Sequence, residues 1–555
     1  MLTLAAMPML QKVQSLWPEI VLFAGACVVM VLGLSPQYAV RKLCGVVAFI
    51  AMAAAGVLAY RTTPAADHAL PNLPLYGKVI AAGVGTLILL LLSGTADREY
   101  ESAVARGEPF NAIRSTRGEF YAFFLFSFMG IMLCAGADDL IWLFLALELT
   151  SLPTYIMVAI STGRNRSMEA GVKYFFLGAL GAALFLYGFT MLYGGTGSTN
   201  LASITQTLAN QAAGGVDGPG KINAIAMAGL LLSVIGLCFK VAAVPMHFYT
   251  ADVYQGASAS VAAMLAFVPK AAGFFAILLI CSTAGWTFAG QLPSPLHEVL
   301  WVLAALTMTV GNILAPLQTS VKRLLAYSSI AHSGYMLVGV LAGPGDAAGG
   351  FASSGIAAVL FYMLSYGIMT LGSFAVLACL ERTGPDGKPE EIDSFDDLRG
   401  LCRSRPVLGY TLVLSALGLL GLPPTLGFFA KLPLFTSLWY AGQGTLLVIL
   451  AVNSAIAAFY YLRLAGVAWL ETAASPGPTD GVRVAPFAFR VIAGVLSAAG
   501  VIVFAVVPLT GAARHAAAYR PANATVPNAE QPPAAAEAAQ PAETGAASTV
   551  SAVAR

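Results

Sequence analysis

The chain has 555 residues, of which 58% are hydrophobic and 10% charged, whereas a soluble domain carries about 25% charged residues. That balance excludes a soluble globular enzyme and reads as a polytopic membrane protein. A formal net charge of +2 gives no electrostatic footing for nucleic acid or for a strongly acidic partner.

Met1 to Leu16 lacks the charged start, short apolar core and small-residue cleavage site of a removable leader, so the first apolar run is expected to remain as a helix. Runs of about 20 apolar residues mark bilayer-spanning helices. They are expected here around Ala26, Ala51, Gly85, Phe126, Leu149, Ala182, Leu232, Leu265, Leu306, Tyr335, Met363, Gly418, Leu450 and Gly500, 14 in all, the seventh and twelfth being the least regular. Basic residues divide by loop parity. Arg41, Lys42, Arg98, Arg106, Arg114, Arg117, Arg164, Arg166, Lys322, Arg323, Arg382, Lys388, Arg399, Arg403, Arg405, Arg463 and Arg483 fall in odd-numbered loops, and the even loops hold Arg61 and Lys221. The positive-inside rule then makes the odd loops cytoplasmic and puts both termini on the opposite face. Gly215, Gly220 and Lys221 imitate a phosphate-binding loop, but Ile222 stands where Ser or Thr should hold magnesium and no strand precedes it, so that reading fails. Past Thr510 an Ala, Pro, Glu and Gln mixture has too little bulky apolar content to fold, and a disordered outer-face tail is expected.

Five charges interrupt the apolar runs: Glu148, Lys173, Lys240, Lys270 and Lys431. Left uncompensated, the five would cost roughly 12 to 18 kcal/mol at about 2.5 to 3.5 kcal/mol each. Intramembrane ionisable groups point to an ion or proton path. For Lys173, close to the start of its helix, snorkelling to the interface competes with that role. Lys240 precedes Val241–Pro245, and Lys431 follows Leu422-Pro423-Pro424; in each case proline breaks the helical ladder. Broken helices at membrane depth are tolerated where they line a polar cavity, and two such breaks about five helices apart suggest an internal duplication. Lys270 follows Pro269 at mid-helix. His247 and His332 suit a relay, although a satisfied core histidine is as common. The seven cysteines are scattered without metal-ligand spacing, so no iron–sulfur, haem or zinc site is legible.

Several of these stretches carry a family resemblance. They are Lys240-Val-Ala-Ala-Val-Pro245-Met-His247 through Asp252, Tyr254 and Gly256; Val268-Pro269-Lys270; Glu148-Leu-Thr-Ser151-Leu-Pro153; Lys322-Arg323 through Tyr327-Ser328-Ser329; and Leu420-Gly-Leu-Pro423-Pro424 through Lys431. From about Leu16 to Pro508 the chain resembles the antiporter-like membrane subunits of proton-pumping NADH:quinone oxidoreductase, respiratory complex I. Lys431 favours the subunit N branch over sibling M, which typically has Glu there, and the long lateral helix of sibling L is lacking. Tyr249, Ala251 and Ala257-Ser258 depart from the family's usual Trp, Pro and Ala-Pro.

The resemblance implies an all-α polytopic fold of about 14 transmembrane helices with two inverted five-helix repeats, each with a discontinuous helix. The implied order is a three-helix segment (1–117), a first repeat (118–290), a second repeat (291–470), a final transmembrane helix (471–510) and the tail (511–555). It further implies a carboxylate–lysine pair of Glu148 and Lys240, modulated by Lys173, a central Lys270, and Lys431 in a second half-channel, linked by His247 and His332. The implied function is proton translocation coupled to quinone reduction elsewhere, in a multi-pass inner-membrane subunit with periplasmic termini. Such a chain would do no redox chemistry and bind no cofactor or metal itself, with NADH, flavin, iron–sulfur clusters and quinone held by other subunits. Expected partners are subunits M, K and J and the lipid bilayer. A cation/proton antiporter subunit or a hydrogenase membrane arm shares the Glu and Lys constellation and stays open as the alternative. A degenerate scaffold does not, because it gains nothing from the insertion cost of the charges.

Overall fold

A computed structural model describes residues 12–62, 69–98, 107, 115–162, 164–214, 221–286, 291–345, 350–383, 389–471, 482–484, 488–502 and 506–521. In chain order the helices are α1 Trp17–Gly33, α2 Tyr38–Ala59, α3 Leu73–Leu91, α4 Arg117–Ala135, α5 Leu140–Ile160, α6 Asn165–Thr196, α7 Leu201–Gly214, α8 Ala224–Lys240, α9 Thr250–Gly256 and α10 Ala259–Ala284. They continue as α11 Ser294–Leu314, α12 Val321–Ala342, α13 Gly355–Cys379, α14 Leu401–Ser404, α15 Pro406–Leu420, α16 Leu426–Tyr440, α17 Gly444–Trp469, α18 Ala488–Ile502 and α19 Val506–Ala516.

Among the described residues ten helices are long and apolar enough to cross a bilayer, and four shorter apolar ones, α1, α8, α15 and α18, complete the expected crossings. The two irregular runs are the two interrupted helices. The ladder stops at Lys240 and resumes at Thr250; later it stops at Leu420 and resumes at Leu426. Each gap contains a cis X–Pro bond, Val244–Pro245 and Pro423–Pro424. Because α4 to α10 make five crossings, the unit from α11 to α17 starts on the opposite face, which is what inverts it.

Helix α10 is the axis of the molecule. Its most apolar stretch is entirely buried, as is nearly all of that in α12 and α13, whereas only a third is buried in peripheral α6 and α17. Small residues let neighbours close in: a side chain at Gly195 would meet the Ala226 amide nitrogen at 2.6 Å, and one at Gly229 the Leu192 amide nitrogen at 2.6 Å. Such contacts replace the hydrophobic drive that is lacking between helices in lipid.

Odd-numbered loops share one face. A three-stranded antiparallel sheet there, in the order β2 (Pro389–Glu391), β1 (Leu380–Thr383), β3 (Val482–Val484), adds strands to the expected all-α fold. Arg164 pairs with Glu390 at 3.0 Å, Lys322 with Glu391 at 2.7 Å, and Arg98 with Glu381. On the other face Lys12 pairs with Asp138 at 2.7 Å, near the Asp139–Asn200 bridge. The expected tail begins later than residue 511. Helix α19 runs to Ala516, Asn72 donates to the His515 carbonyl at 2.9 Å, and Tyr519 packs edge-on against Trp286 with centroids 5.4 Å apart. Tyr519 and Leu509 supply apolar contacts that composition averaged over the Ala-rich stretch conceals. Residues 522–555, and the loop glycines Gly215 and Gly220, lie outside the described residues.

Candidate functional site

Helix α5 is capped by Asp139, whose carboxylate accepts the Ile141 N–H at 2.8 Å. Two turns on, Glu148 faces the end of α8. Lys240 is the last residue of α8, 2% exposed, and its Nζ donates to Glu148 Oε1 at 3.0 Å and to Ser151 Oγ at 2.5 Å. Glu148 and Ser151 meet the same ammonium because residues three apart share a helix face. The helix ends there because Pro245 lacks the N–H that would serve the Val241 carbonyl. Ser333 of α12 donates to that carbonyl at 2.5 Å, and Thr307 of α11 accepts from the Val244 N–H at 3.0 Å. The break in the first repeat is therefore satisfied by side chains of the second.

Lys270 is buried in α10, donating to Ser333 Oγ at 2.7 Å and to the Ser329 carbonyl. His332, one residue before Ser333, lies 2.8 Å from the Tyr461 hydroxyl through Nε2 and 2.7 Å from the Tyr362 hydroxyl through Nδ1. Lys431 of α16 donates to the Leu420 carbonyl at 2.7 Å and to Ser454 Oγ at 3.4 Å. Aromatic rings fill the intervals. Tyr366 has its ring 5.5 Å from Lys270 Nζ and 4.8 Å from the His332 ring, and Tyr335 lies 5.5 Å from His332 and 5.3 Å from Lys431 Nζ. One buried row thus runs from Glu148 and Lys240 through Lys270 and His332 to Lys431.

Two expected members stand apart. Lys173 is 45% exposed on α6 and pairs with Glu169 at 2.7 Å and Asp252 at 3.5 Å rather than with Glu148. The buried stripe of α6 runs through Ala170, Tyr174, Gly178 and Gly181, and helical phase turns Lys173 off it. His247 is half-buried in the first break, and its Nδ1 has no hydrogen-bond partner among the described residues.

The structure also adds charged pairs that the sequence reading passed over. Lys78 of α3 and Glu19 of α1 form a fully buried pair at 2.8 Å. On the odd-loop face Glu391 accepts from Lys322 at 2.7 Å and from the Ala259 N–H at the start of α10 at 2.7 Å. Burial works against the Glu391 charge, but Lys322 and the Ala259 amide outweigh it and hold the carboxyl below the usual carboxylate range. Arg490 of α18, buried, donates to the Ser93 carbonyl at 2.9 Å and to the Ala378 carbonyl at 2.6 Å. Among the described residues no three His, Cys, Asp or Glu side chains converge as a metal set would require. The chemistry the row offers is proton exchange among lysine, carboxylate, imidazole and hydroxyl.

The chain is similar to known proteins in sequence and in fold. The chain is 38% identical over 424 residues to NADH-quinone oxidoreductase subunit N of Trichlorobacter lovleyi, covering 76% of this chain and 80% of that one. It is 43% identical over 352 residues to subunit N 2 of Roseiflexus castenholzii, covering 63% and 67%. A chain of respiratory complex I from Thermus thermophilus superposes with a TM-score of 0.66 at 31% identity, covering 89% of this chain and 99% of that one. Residues 137–457, which hold the whole row from Glu148 to Lys431, match the model of the NADH:quinone oxidoreductase/Mrp antiporter transmembrane family, and the chain belongs to that family.

Proposed function

We propose that this chain is the proton-translocating membrane subunit N of an NADH-quinone oxidoreductase, and that Glu148, Lys240, Lys270, His332 and Lys431 carry the protons. The observation that supports this most is the Glu148–Lys240 pair, 3.0 Å apart, its lysine buried and its carboxylate half-buried, at the end of a broken helix. A buried lysine holds its charge only while something nearby compensates it, so moving the carboxylate on or off Lys240 decides whether that proton stays or passes along the row. Ring faces separate Lys270, His332 and Lys431, so transfer between them requires water or side-chain rotation. Quinone reduction in neighbouring subunits supplies the drive, and NADH, flavin, iron–sulfur clusters and quinone bind in those subunits. Lys173 and Glu169, exposed on α6, act from outside the row, as a modulating charge would.

Subunits M, K and J are the neighbours, the membrane is the inner one, and both termini are periplasmic. The direct test of transport is Glu148→Gln in the assembled complex, with NADH oxidation and the proton gradient followed in the same vesicles. Electron transfer is expected to persist while pumping falls; full pumping would exclude Glu148 as a carrier. For orientation, a cysteine at exposed Ala518 in a cysteine-less chain should react with an impermeant thiol reagent before the inner membrane is opened. Labelling only afterwards would invert the assignment.

A further inference from the structure

The Ser333 hydroxyl sits between the two lysines nearest the first break. Lys270 Nζ donates to it at 2.7 Å, and it donates to the Val241 carbonyl at 2.5 Å, the carbonyl that Pro245 orphans next to Lys240. Its own helix offers a second carbonyl, Ser329, at 3.2 Å, a poorer partner by length. A hydroxyl has one proton to give and lone pairs with which to accept. A charged Lys270 is a pure donor, so Ser333 accepts from it and turns its single proton toward Val241. A neutral Lys270 amine carries a lone pair and competes for that same proton, leaving the Val241 carbonyl without its partner.

We propose that Ser333 is a positioning residue that transmits the protonation of Lys270 to the helix break carrying Lys240, holding the break closed when Lys270 is charged and releasing it when Lys270 is neutral. The inference rests on the proton-path reading of the row. The other titratable groups around Lys270 are Tyr366 on α13, His332 on α12, Tyr254 on α9, Cys134 on α4, and the Lys240–Glu148 pair where α8 meets α5. Tyr366 presents its ring at 5.5 Å, Tyr254 is 3.3 Å from Ser329 Oγ, and Cys134 Sγ is 3.2 Å from the Ala272 carbonyl. Among the described residues no carboxylate stands within ion-pair distance of Lys270, so its charge is felt first through the two acceptors it touches, Ser329 and Ser333.

The test uses the assembled complex, with hydrogen exchange of the 241–247 amides read by mass spectrometry across pH and corrected for intrinsic rates. The wild type is expected to open this segment as pH rises, by about fivefold for one hydrogen bond lost. Ser333→Ala should be open at every pH, Lys270→Met closed at every pH, and Ser333→Thr, which restores the hydroxyl, should recover the wild-type profile. Proton pumping by Ser333→Ala should fall by about the same factor with electron transfer kept. If Ser333→Ala fails to assemble, Ser333→Cys, with a weaker donor in nearly the same volume, is read in the same way. An exchange profile in the Ser333 variant that rises with pH like the wild type, or a flat wild-type profile, overturns the proposal. If Glu148→Gln pumps fully, the proton-path reading fails instead; if Glu148→Gln is silenced while Ser333→Ala pumps with an unchanged pH profile, only the Ser333 switch fails.

Discussion

At the first break the carbonyl orphaned by Pro245 is taken by Ser333, leaving Lys240 free to pair with Glu148; at the second the carbonyl orphaned by Pro424, that of Leu420, is taken by Lys431 itself. Both repairs answer one physical demand, since a backbone acceptor at membrane depth must find a donor. They differ in charge. Lys240 and Glu148 together are near neutral, whereas Lys431 meets a carbonyl, a hydroxyl at 3.4 Å and the face of Tyr335. The first half thus holds its lysine in an ion pair, and the second holds a single lysine steadied by dipoles and a ring.

The largest expected effect separates these two designs. Glu148→Gln strands the Lys240 ammonium and should destabilise the assembled subunit by about 3 kcal/mol, and adding Lys240→Ala should recover part of that loss. In the second half Lys431→Ala removes the charge together with its burial cost, leaves one carbonyl unserved at about 1 to 3 kcal/mol, and should couple to Ser454→Ala by no more than about 0.5 kcal/mol. Heating series on native gels, followed by retention of this subunit in the complex, read both cycles. Equal coupling in the two halves would erase the distinction.

A comparable effect is expected at the clamp that joins the halves. Glu391 ties the first turn of α10, which carries Lys270, to Lys322 at the first turn of α12, which carries His332 and Ser333. Glu391→Gln should cost about 3 kcal/mol, at the low end for a broken buried pair because the site borders water. Its carboxyl is held below the ordinary range in the folded protein, so the stabilisation is complete above the unfolded carboxylate value and lost as pH falls through the folded one. The midpoint of acid-induced dissociation should therefore move upward in the variant and flatten below that range. An unshifted midpoint would show that the clamp bears no load.

The parts of this design that the sequence displayed are those that violate hydropathy. Lys240, Lys270 and Lys431 interrupt apolar runs, and Pro245 and Pro424 mark the ladder breaks, so the row and both discontinuous helices were legible. Their partners were not, because Ser151, Ser333, Tyr335 and Tyr461 disturb no periodicity and cost a membrane helix little when they bond their own backbone, as Ser151 does to the Leu147 carbonyl at 2.7 Å. The place of Lys173 was not legible for a geometric reason: a side chain one residue away from a buried stripe is turned about 100° from it, and only the packing of α6 against α8 reveals which stripe is inward. The Glu19–Lys78 pair was open to notice as charges, yet its closure depends on the starts of α1 and α3 coming within side-chain reach, which no local pattern specifies.

The smallest effect gives the finest contrast between the halves. Ser151 touches Lys240 at 2.5 Å inside a charged pair, whereas Ser454 reaches Lys431 at 3.4 Å, beyond the usual range for a strong bond. Well-formed hydrogen bonds to charged groups contribute about 1.5 to 3 kcal/mol, and one stretched to 3.4 Å falls to about 0.5 kcal/mol. Ser151→Ala is therefore expected to lower pumping by about tenfold or more, and Ser454→Ala by about twofold, each with NADH oxidation retained. Both alanines fit the existing volume, so assembly should be unaffected and the ratio of the two losses reads the chemistry alone. If Ser454→Ala proved the more damaging, the second lysine would depend on its hydroxyl more than on the Leu420 carbonyl, and the view of Lys431 as a dipole-steadied store would fall.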